Sequence, residues 1–273
     1  MTHRIIIPAR YGSTRFPGKP LAAVAGVPLL QRVWALGVSV AGRDKVVVAT
    51  DDKTIADFCA KIGAVHVMTD AALPNGTARA QAALSQLPAS VDKVINLQGD
   101  AVLTPPWVIA AIMAAMRKKD DAGIFTPAVK MDKTSLEVLR RAKASGEVGG
   151  TTVTFDLHHN ALYFSKSIIP FVRDKADTAV YRHIGLYGYH RDALDALVKL
   201  PPTPLETAEK LEQLRALDHG MKIRVVPVDY QGRSHTGIDS EADLRQAERM
   251  IAAEGELLPA YDGSCKYDAP SGG

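Results

Sequence analysis

Short apolar runs alternate with longer amphipathic stretches through the first hundred residues. The runs at 4–8, 45–49 and 94–97 are continuous and rich in Ile and Val, which is typical of parallel strands buried on both faces. Helical spacing of apolar residues recurs at 28–40, 54–62 and 78–87. This alternation predicts an α/β fold with a doubly wound, mostly parallel sheet. Such sheets bind ligands at the carboxyl ends of their strands, so we expect functional residues in the loops that follow the strands.

The pattern changes between about 126 and 180. A Lys/Arg-rich helix is predicted at 135–144, and two strands, 151–155 and 161–165, follow a Gly149-Gly150 break. These features predict a small inserted antiparallel lobe. The chain then returns to strands at 184–189 and 222–228 and to helices at 204–219 and 240–254. We predict a single domain over 1–256 that carries this lobe at about 126–180, and a flexible tail at 257–273.

The composition narrows the class of protein. The 273 residues carry 33 basic and 30 acidic side chains, for a formal net charge of +3, which is too small an excess for a dedicated nucleic-acid-binding protein. The chain opens directly on a strand and has no apolar run long enough to cross a bilayer. Its two cysteines, Cys59 and Cys265, lack zinc-ligand spacing and predict free thiols. We therefore expect a cytoplasmic protein with no nucleic-acid partner and no membrane insertion.

Three cations lie in the loop after the first strand. The segment PARYGSTRFPGKP begins at Pro8 and places Arg10, Arg15 and Lys19 within ten residues. Its glycines permit a tight loop whose backbone N–H groups can turn toward an anion. The segment is neither a Walker A motif nor a GxGxxG dinucleotide fingerprint. We interpret it as a polyphosphate-binding loop, which makes the predicted sheet a nucleotide-binding sheet.

Two aspartates are candidate magnesium ligands. Asp100 ends the NLQGD segment after the third strand, and Asp239 lies in GIDS before the last helix. Mg²⁺ in proteins takes one or two carboxylates together with phosphate oxygens and water. Either aspartate alone could instead cap the helix that follows it, so the two interpretations stay open at this point.

Polar residues later in the chain suit a polyhydroxylated acid. Arg182 and His183 open a predicted strand, and Tyr187 lies farther along the face that His183 occupies. The predicted helix at 204–219 offers further donors and acceptors, namely Glu206, Glu209, Glu212 and Gln213. Charged helix faces are more often simply solvated, so this helix alone would not indicate a binding site.

Taken together, eight segments resemble one known family. They are PARYGSTRFPGKPL (8–21), VVVATDD (46–52), MTDAALPNGTAR (68–79), NLQGD (96–100), ALYFSKSIIPF (161–171), YRHIGLYGY (181–189), PLETAEKLEQLR (204–215) and GIDSEADL (237–244). In this order they are similar to the 3-deoxy-manno-octulosonate cytidylyltransferases, which are also called CMP-Kdo synthetases. The resemblance spreads over about 240 residues.

The resemblance implies a role for each matched residue. It implies that CTP is coupled to a 3-deoxy-ulosonic acid with the help of Mg²⁺, in a homodimer whose contact includes the lobe around 162–171. The nucleotide would be bound by Ala9, Arg10, Arg15, Lys19, Gln98 and Asp100. The metal would be held by Asp100 and Asp239, and catalysis would rest on Arg10, Lys19 and these two carboxylates. The sugar acid would be bound by Arg79, Gln98, His183, Tyr187, Glu212 and Gln213. Among the cations, we expect Arg79 to grip the carboxylate of the sugar acid, because the guanidinium fork matches a carboxylate.

Three departures from the family pattern bear on the sugar. Ala101-Val102 replaces Glu-Pro after QGD, Ala78 replaces the Glu of SGTER, and EVGGTTV replaces the PN-x-VKVV stretch at 147–153. The substrate could therefore be Kdo or an analogue such as an amino-Kdo. The residues are also compatible with an acylneuraminate or sugar 1-phosphate nucleotidyltransferase, a metal-dependent glycosyltransferase or a non-catalytic binding homologue.

Overall fold

The computed structural model describes residues 2–12, 16–118, 121–173 and 179–258. Arg15, Cys265 and nearly all of the tail predicted at 257–273 lie outside these ranges. Two compact units are distinguished: one holds the described residues up to Ala110 and from Tyr230 onward, and the other is Ala111–Asp229. The single domain at 1–256 with a lobe at about 126–180 stays a prediction.

The secondary-structure elements are numbered in chain order. The strands are β1 (Thr2–Ala9), β2 (Ala23–Val24), β3 (Val27–Pro28), β4 (Val46–Thr50), β5 (Val65–Met68), β6 (Val91–Asn96), β7 (Ile124–Lys130), β8 (Thr152–Phe155), β9 (Ala161–Ser165), β10 (Tyr181–His183), β11 (Tyr187–His190) and β12 (Ile223–Val228). The helices are α1 (Leu29–Ala41), α2 (Lys53–Ile62), α3 (Gly76–Ser85), α4 (Pro106–Arg117), α5 (Lys133–Ala144), α6 (Arg191–Leu197), α7 (Pro204–Glu209), α8 (Gln213–Asp218) and α9 (Glu241–Glu254). None of the helices in the described ranges is long and apolar enough to cross a membrane.

The first unit contains a parallel sheet in the order β5-β4-β1-β6. Ile5 of β1 lies opposite Val46 of β4 and Ile95 of β6. All five residues of β4 are buried, as expected when helices cover both faces of a parallel sheet. The predicted α/β fold with a parallel sheet is confirmed. Strands β1, β4 and β6 end at Ala9, Thr50 and Asn96, so the loops that follow them leave from the same edge of the sheet.

Polar caps set where the helices of this unit begin. Asp52 and Asn75 accept hydrogen bonds from the backbone N–H groups of Ile55 and Ala78, at 3.1 and 2.8 Å. Ser240 caps α9 and forms a reciprocal capping box with Asp243. Because each cap satisfies N–H groups that the first helical turn leaves without a partner, α2 and α3 begin one to two residues before the predicted starts at 54 and 78.

The second unit is built around β7. Strands β10 and β11 pair antiparallel with β7, and β12 pairs with it in parallel. Strand β8 joins β10, and β9 joins β8, both antiparallel. The predicted antiparallel strands at 151–155 and 161–165 are therefore present, as β8 and β9.

Two predicted elements of this unit are wrong, because each is broken in the structure. The strand at 184–189 gives way to a tight turn in which the Leu186 N–H donates to the Ile184 carbonyl at 2.7 Å, and this turn separates β10 from β11. The helix at 204–219 is interrupted at Lys210, whose φ of 54° is left-handed. A left-handed residue cannot continue a right-handed helix, so α7 ends before it and α8 begins at Gln213.

Candidate active site

A cavity of about 290 Å³ lies in the first unit, at the carboxyl ends of β1 and β6. Its walls include seven of the predicted site residues: Ala9, Arg10, Lys19, Arg79, Gln98, Asp100 and Asp239. They come from five separate stretches of sequence, and the topology of the sheet brings their loops together. This is the edge where a doubly wound sheet binds its ligand.

Lys19 is the side chain that joins these loops. Gly18, with a left-handed φ of 70°, leads into a short 3₁₀ turn, Lys19–Leu21, a conformation that glycine adopts without strain. The Lys19 Nζ donates to the Ile238 carbonyl at 2.6 Å and lies 3.4 Å from one carboxylate oxygen of each of Asp100 and Asp239. One ammonium therefore links two carboxylates that are far apart in the sequence.

The two carboxylates are not helix caps. Ser240, rather than Asp239, caps α9, and Asp100 lies well before α4, which begins at Pro106. Burial raises the pKa of the Asp100 carboxyl, and the charge of Asp239 raises it further, while Lys19 acts in the opposite direction. Two oxygen ligands drawn together in this way fit a hard divalent cation.

The described residues hold no group of three or more His, Cys, Asp or Glu side chains able to enclose a metal ion. Mg²⁺ does not need such a group, because it usually keeps waters and binds substrate phosphates. Asp100 and Asp239 are the side chains that would hold it.

The strand ends pack tightly at this edge. A Cβ atom on Gly99 would lie 2.8 Å from the Pro8 carbonyl oxygen, and one on Gly76 would lie 3.2 Å from the Gln98 side-chain oxygen. The loops of the cavity thus approach one another as closely as glycine allows. Arg10 is exposed at the cavity wall, where its charge is available to an anion.

Arg79 has partners that the sequence did not reveal. It is only 3% exposed, and its two terminal nitrogens donate to the Thr69 hydroxyl at 2.6 Å and to the Asp51 carboxylate at 2.9 Å. Asp51 follows β4 and Thr69 follows β5, so Arg79 fastens α3 to the ends of both strands. The predicted contact between Arg79 and the carboxylate of a sugar acid stays a prediction.

The second unit brings together His183, Tyr187 and Glu212. The His183 ring is 9% exposed and lies 5.0 Å from the ring of Phe164 and 5.5 Å from that of Tyr187, measured between centroids. Burial raises the pKa of the Tyr187 hydroxyl well above its usual value, and the nearby Tyr189 and Glu212 add to the shift. Tyr187 therefore stays neutral and can donate a hydrogen bond at physiological pH.

Gln213 follows Glu212 at the start of α8. Its side chain is 8% exposed, and within the described ranges its Nε2 has no hydrogen-bond partner. A buried amide donor without a partner is unfavourable and is uncommon in folded proteins. It is therefore a position at which a bound hydroxyl or carboxylate would be stabilising.

The residues expected on a single helix at 204–219 lie in separate elements, because the helix is broken: Glu206 and Glu209 belong to α7, and Gln213 begins α8. Glu206 forms a double hydrogen bond with Arg215, at 2.8 and 2.5 Å. Glu209 accepts from the Ser165 hydroxyl and the Lys166 N–H, at 2.7 and 2.8 Å. Both carboxylates thus stabilise the unit itself.

Arg182 and His183 are neighbours in β10, but their side chains do not line the same face of the sheet. Neighbouring residues on a strand point to opposite faces of the sheet. Arg182 lies in a row with Thr152 and Ser165, its counterparts across β8 and β9. Its side chain therefore projects from the face of the sheet opposite to that of His183.

Thr126 is a polar contact that sequence reasoning missed. Its hydroxyl lies 2.9 Å from His183 Nε2, in the middle of β7. A lone hydroxyl within the apolar run IFTPAV was the available signal, because buried polar groups nearly always have partners.

Comparison with known proteins bears on what this site does. A family model described as "Cytidylyltransferase" matches residues 4–223. The chain is 51% identical over 254 residues to the 3-deoxy-manno-octulosonate cytidylyltransferase of Maricaulis maris, covering 93% of this chain and 98% of that protein. The chain belongs to the 3-deoxy-manno-octulosonate cytidylyltransferase family. The resemblance drawn from the eight segments is confirmed.

Other relatives and solved structures support this family assignment. The chain is 40% identical over 255 residues to the 8-amino-3,8-dideoxy-manno-octulosonate cytidylyltransferase of Shewanella pealeana, covering 93% of this chain and 100% of that protein. A structure of CMP:2-keto-3-deoxy-manno-octonic acid synthetase complexed with CTP superposes with a TM-score of 0.82 at 32% identity, covering 93% of this chain and 100% of the other. The inositol-1-phosphate CTP transferase of T. maritima, at 14% identity and a TM-score of 0.63, shares the fold alone.

Proposed function

We propose that this chain transfers the cytidylyl group of CTP to the anomeric hydroxyl of a 3-deoxy-ulosonic acid, either Kdo or its 8-amino analogue. The hydroxyl oxygen forms a new bond to the α-phosphorus of CTP. The bond from that phosphorus to the bridging oxygen breaks, pyrophosphate leaves and the hydroxyl proton is released to solvent. The product is a CMP-activated sugar acid, a donor suited to lipopolysaccharide or capsule assembly.

The observation that carries the proposal is the meeting of Lys19, Asp100 and Asp239 in one cavity, with Arg10 at its wall. Phosphoryl transfer needs positive charge where charge grows on the leaving pyrophosphate. Lys19 and Arg10 supply it in this proposal, joined by Arg15. Ala9 and Gln98, which also line the cavity, would contact the nucleotide and the sugar.

We further propose that Asp100 and Asp239 hold Mg²⁺ during the reaction. Two observations support this assignment: carboxylate oxygens are ligands that Mg²⁺ prefers, and both carboxylates lie close to the same ammonium group, that of Lys19. When bound, Mg²⁺ would neutralise phosphate charge and lower the pKa of a hydroxyl group that contacts it. The role of the protein is then to orient both substrates in line and to hold the charges in place.

For the sugar acid we propose contacts from His183, Tyr187, Glu212 and Gln213. The unpartnered Nε2 of Gln213 and the neutral hydroxyl of Tyr187 support a hydroxylated ligand. Glu212 would accept hydrogen bonds from such a ligand.

The proposed enzyme works as a homodimer in the cytoplasm, where CTP is made. Leu162 and Phe171, which are 61% and 88% exposed, lie in the segment for which the resemblance implies the subunit contact, and their apolar side chains are accessible to a partner. Sedimentation of the Leu162→Asp and Phe171→Asp variants as monomers would support that contact, and an unchanged dimer would contradict it.

The deciding experiment measures pyrophosphate release from CTP and Mg²⁺ with Kdo, 8-amino-Kdo and N-acetylneuraminate in turn. We expect release with Kdo or its amino analogue and none with N-acetylneuraminate. Pyrophosphate release only with N-acetylneuraminate would contradict the proposed substrate and identify an acylneuraminate instead. If CTP binds but no pyrophosphate is released with any of the three acids, the chain is better explained as a non-catalytic homologue.

The metal assignment is checked with Asp100→Asn. This change keeps the shape of the side chain and removes its charge, so kcat should fall by about 10³-fold or more. Asp57→Asn is the matched control, because Asp57 only pairs with Lys53 on an exposed helix surface and should leave kcat unchanged. An Asp100→Asn enzyme with normal turnover would contradict the proposed role.

A further inference from the structure

The Thr126 side chain is completely buried, and its hydroxyl has three polar neighbours. His183 Nε2 and the Leu186 carbonyl oxygen each lie 2.9 Å away, and the Ile184 carbonyl oxygen lies 3.3 Å away. The two carbonyls belong to the turn that separates β10 from β11. Thr126 therefore contacts both the imidazole of His183 and the backbone that leads to Tyr187.

Counting protons favours one direction for these hydrogen bonds. A hydroxyl carries one proton, and a carbonyl oxygen can only accept. The proton of Thr126 goes to the Leu186 carbonyl, which is the nearer of the two. With its proton on that carbonyl, the hydroxyl oxygen can only accept from His183 Nε2, an arrangement that places a hydrogen on this nitrogen. In the neutral ring the other nitrogen, Nδ1, is consequently an acceptor.

We propose that Thr126 is a positioning residue for the sugar acid. It holds His183 in the Nε2–H tautomer and fixes the orientation of the imidazole that we propose contacts the sugar acid. It also ties the turn at Ile184 and Leu186, which sets the 5.5 Å spacing between the rings of His183 and Tyr187. The substrate part of this inference rests on the proposed function, whereas the tautomer does not.

The first test reads the tautomer directly, by ¹⁵N NMR of histidine-labelled protein, with His183→Gln used to assign the signals. Wild type and Thr126→Ser should both show a protonated Nε2 and an unprotonated Nδ1, because serine keeps the hydroxyl. Thr126→Val, which has the same shape without the hydroxyl, should lose this preference. A wild-type signal from the Nδ1–H tautomer at His183 would overturn the proposal, whatever Thr126→Val does to folding.

The second test separates positioning from a merely structural role. Thr126→Val should raise the KM for the sugar acid about tenfold, as expected for loss of one well-placed hydrogen bond. The KM for CTP should stay at the wild-type value, and Thr126→Ser should restore the KM for the sugar acid. Equal increases in both KM values, or an unchanged KM for the sugar acid, would overturn the positioning role.

The two proposals fail in different ways. If His183→Gln leaves the KM for the sugar acid unchanged, His183 does not bind the sugar, and the proposed sugar contact is wrong even where the tautomer is as expected. If His183→Gln raises that KM and Thr126→Val does not, the sugar contact stands and the role of Thr126 is wrong.

Discussion

At the scale of single residues, the charge balance around Lys19 governs the candidate metal site. Its ammonium lies 3.4 Å from both Asp100 and Asp239, which would otherwise repel each other. The same ammonium repels an incoming divalent cation. The free protein is therefore stabilised by a lysine at the place where we propose a metal in the substrate complex, and the triphosphate of CTP would provide the new partner for that lysine.

Removing Lys19 should strengthen Mg²⁺ binding, because the lysine ammonium and the cation would occupy the same position beside the two carboxylates. In Lys19→Met the carboxylates lose their counter-charge, so we expect the affinity for Mg²⁺ in the absence of CTP to rise by about tenfold or more. The KM for CTP should rise as well, because a phosphate contact is lost. Isothermal titration with MgCl₂ measures the first effect. Lys53→Met, at an exposed helix position, is the control. Weaker or unchanged Mg²⁺ binding in Lys19→Met would show that the two aspartates do not hold the cation.

Gln213 offers a test in which stability and function move apart. Leucine at this position removes a buried donor that lacks a partner, so the free energy of unfolding should stay unchanged or rise by up to about 1 kcal/mol. The KM for the sugar acid should rise about tenfold if the Nε2 donates to the substrate. Urea denaturation and initial-rate kinetics measure the two quantities.

The chain contains a matched control for this substitution. Gln31 in α1 is 2% exposed and also has a buried Nε2 without a partner among the described residues, but it belongs to no candidate site. Gln31→Leu should leave both KM values unchanged. If Gln213→Leu behaves in the same way as Gln31→Leu, Gln213 is a residue of the core and not of the site.

At the scale of secondary-structure elements, the cavity depends on how closely the ends of β1 and β6 approach. Pro8 is fixed in register opposite Ala49 of β4, and Ile6 lies opposite Asn96 of β6. The Pro8 carbonyl therefore cannot retreat without disturbing the centre of the parallel sheet. The close contact at Gly99 is thus a property of the sheet and not of a loop that could adjust.

We expect Gly99→Ala to disturb the nucleotide site. Its methyl group would meet the Pro8 carbonyl oxygen at 2.8 Å, and overpacking of this kind destabilises by about 1–3 kcal/mol. Thermal unfolding should report the loss of stability, and a raised KM for CTP should report the displaced loop. Gly149→Ala, where an added Cβ meets nothing within 4 Å, should change neither quantity. Normal KM and stability in Gly99→Ala would show that the loop is adaptable after all.

Periodicity predicted most elements, and its failures have local causes. The buried strands and the amphipathic helices of the first unit are visible in the pattern because burial alone decides them. The break between β10 and β11 lies in a run of strand-forming residues, where only Gly185 hints at a turn. The break at Lys210 has no such signal, because lysine is an ordinary helix former and adopts a left-handed conformation here through its surroundings.

At the scale of the whole molecule, sequence reasoning could place the chemistry but not its internal partners. Position after a strand was enough to predict that Arg10, Lys19 and Asp100 share one edge of the sheet. Asp239 was a candidate from its position before the last helix, and the resemblance to a family assigned it to the same metal as Asp100. Nothing in the sequence indicated that Arg79 would be bound to Asp51, because that pairing depends on the packing of α3 against two strand ends.

The same limit applies to Arg32, which holds the two ends of the first unit together. It lies in α1 and is only 1% exposed, yet it carries a full charge. Its Nε donates to the Val24 carbonyl at 2.6 Å, and its Nη1 lies 3.0 and 2.9 Å from the two carboxylate oxygens of Glu256. A residue near the start of the chain is thus neutralised by one that follows the last helix, α9.

We expect Glu256→Gln to reduce the stability of the protein without changing its catalytic site. Breaking a buried ion pair leaves a charge without compensation, which costs about 3–5 kcal/mol when both partners are buried. Glu256 is 41% exposed, so solvent screens part of the loss and about 1–3 kcal/mol is expected. Urea denaturation measures it. Glu241→Gln is the control, because its pair with Arg245 is exposed on both sides and should contribute almost nothing. Equal effects of the two substitutions would mean that the guanidinium of Arg32 is held by its backbone partners alone.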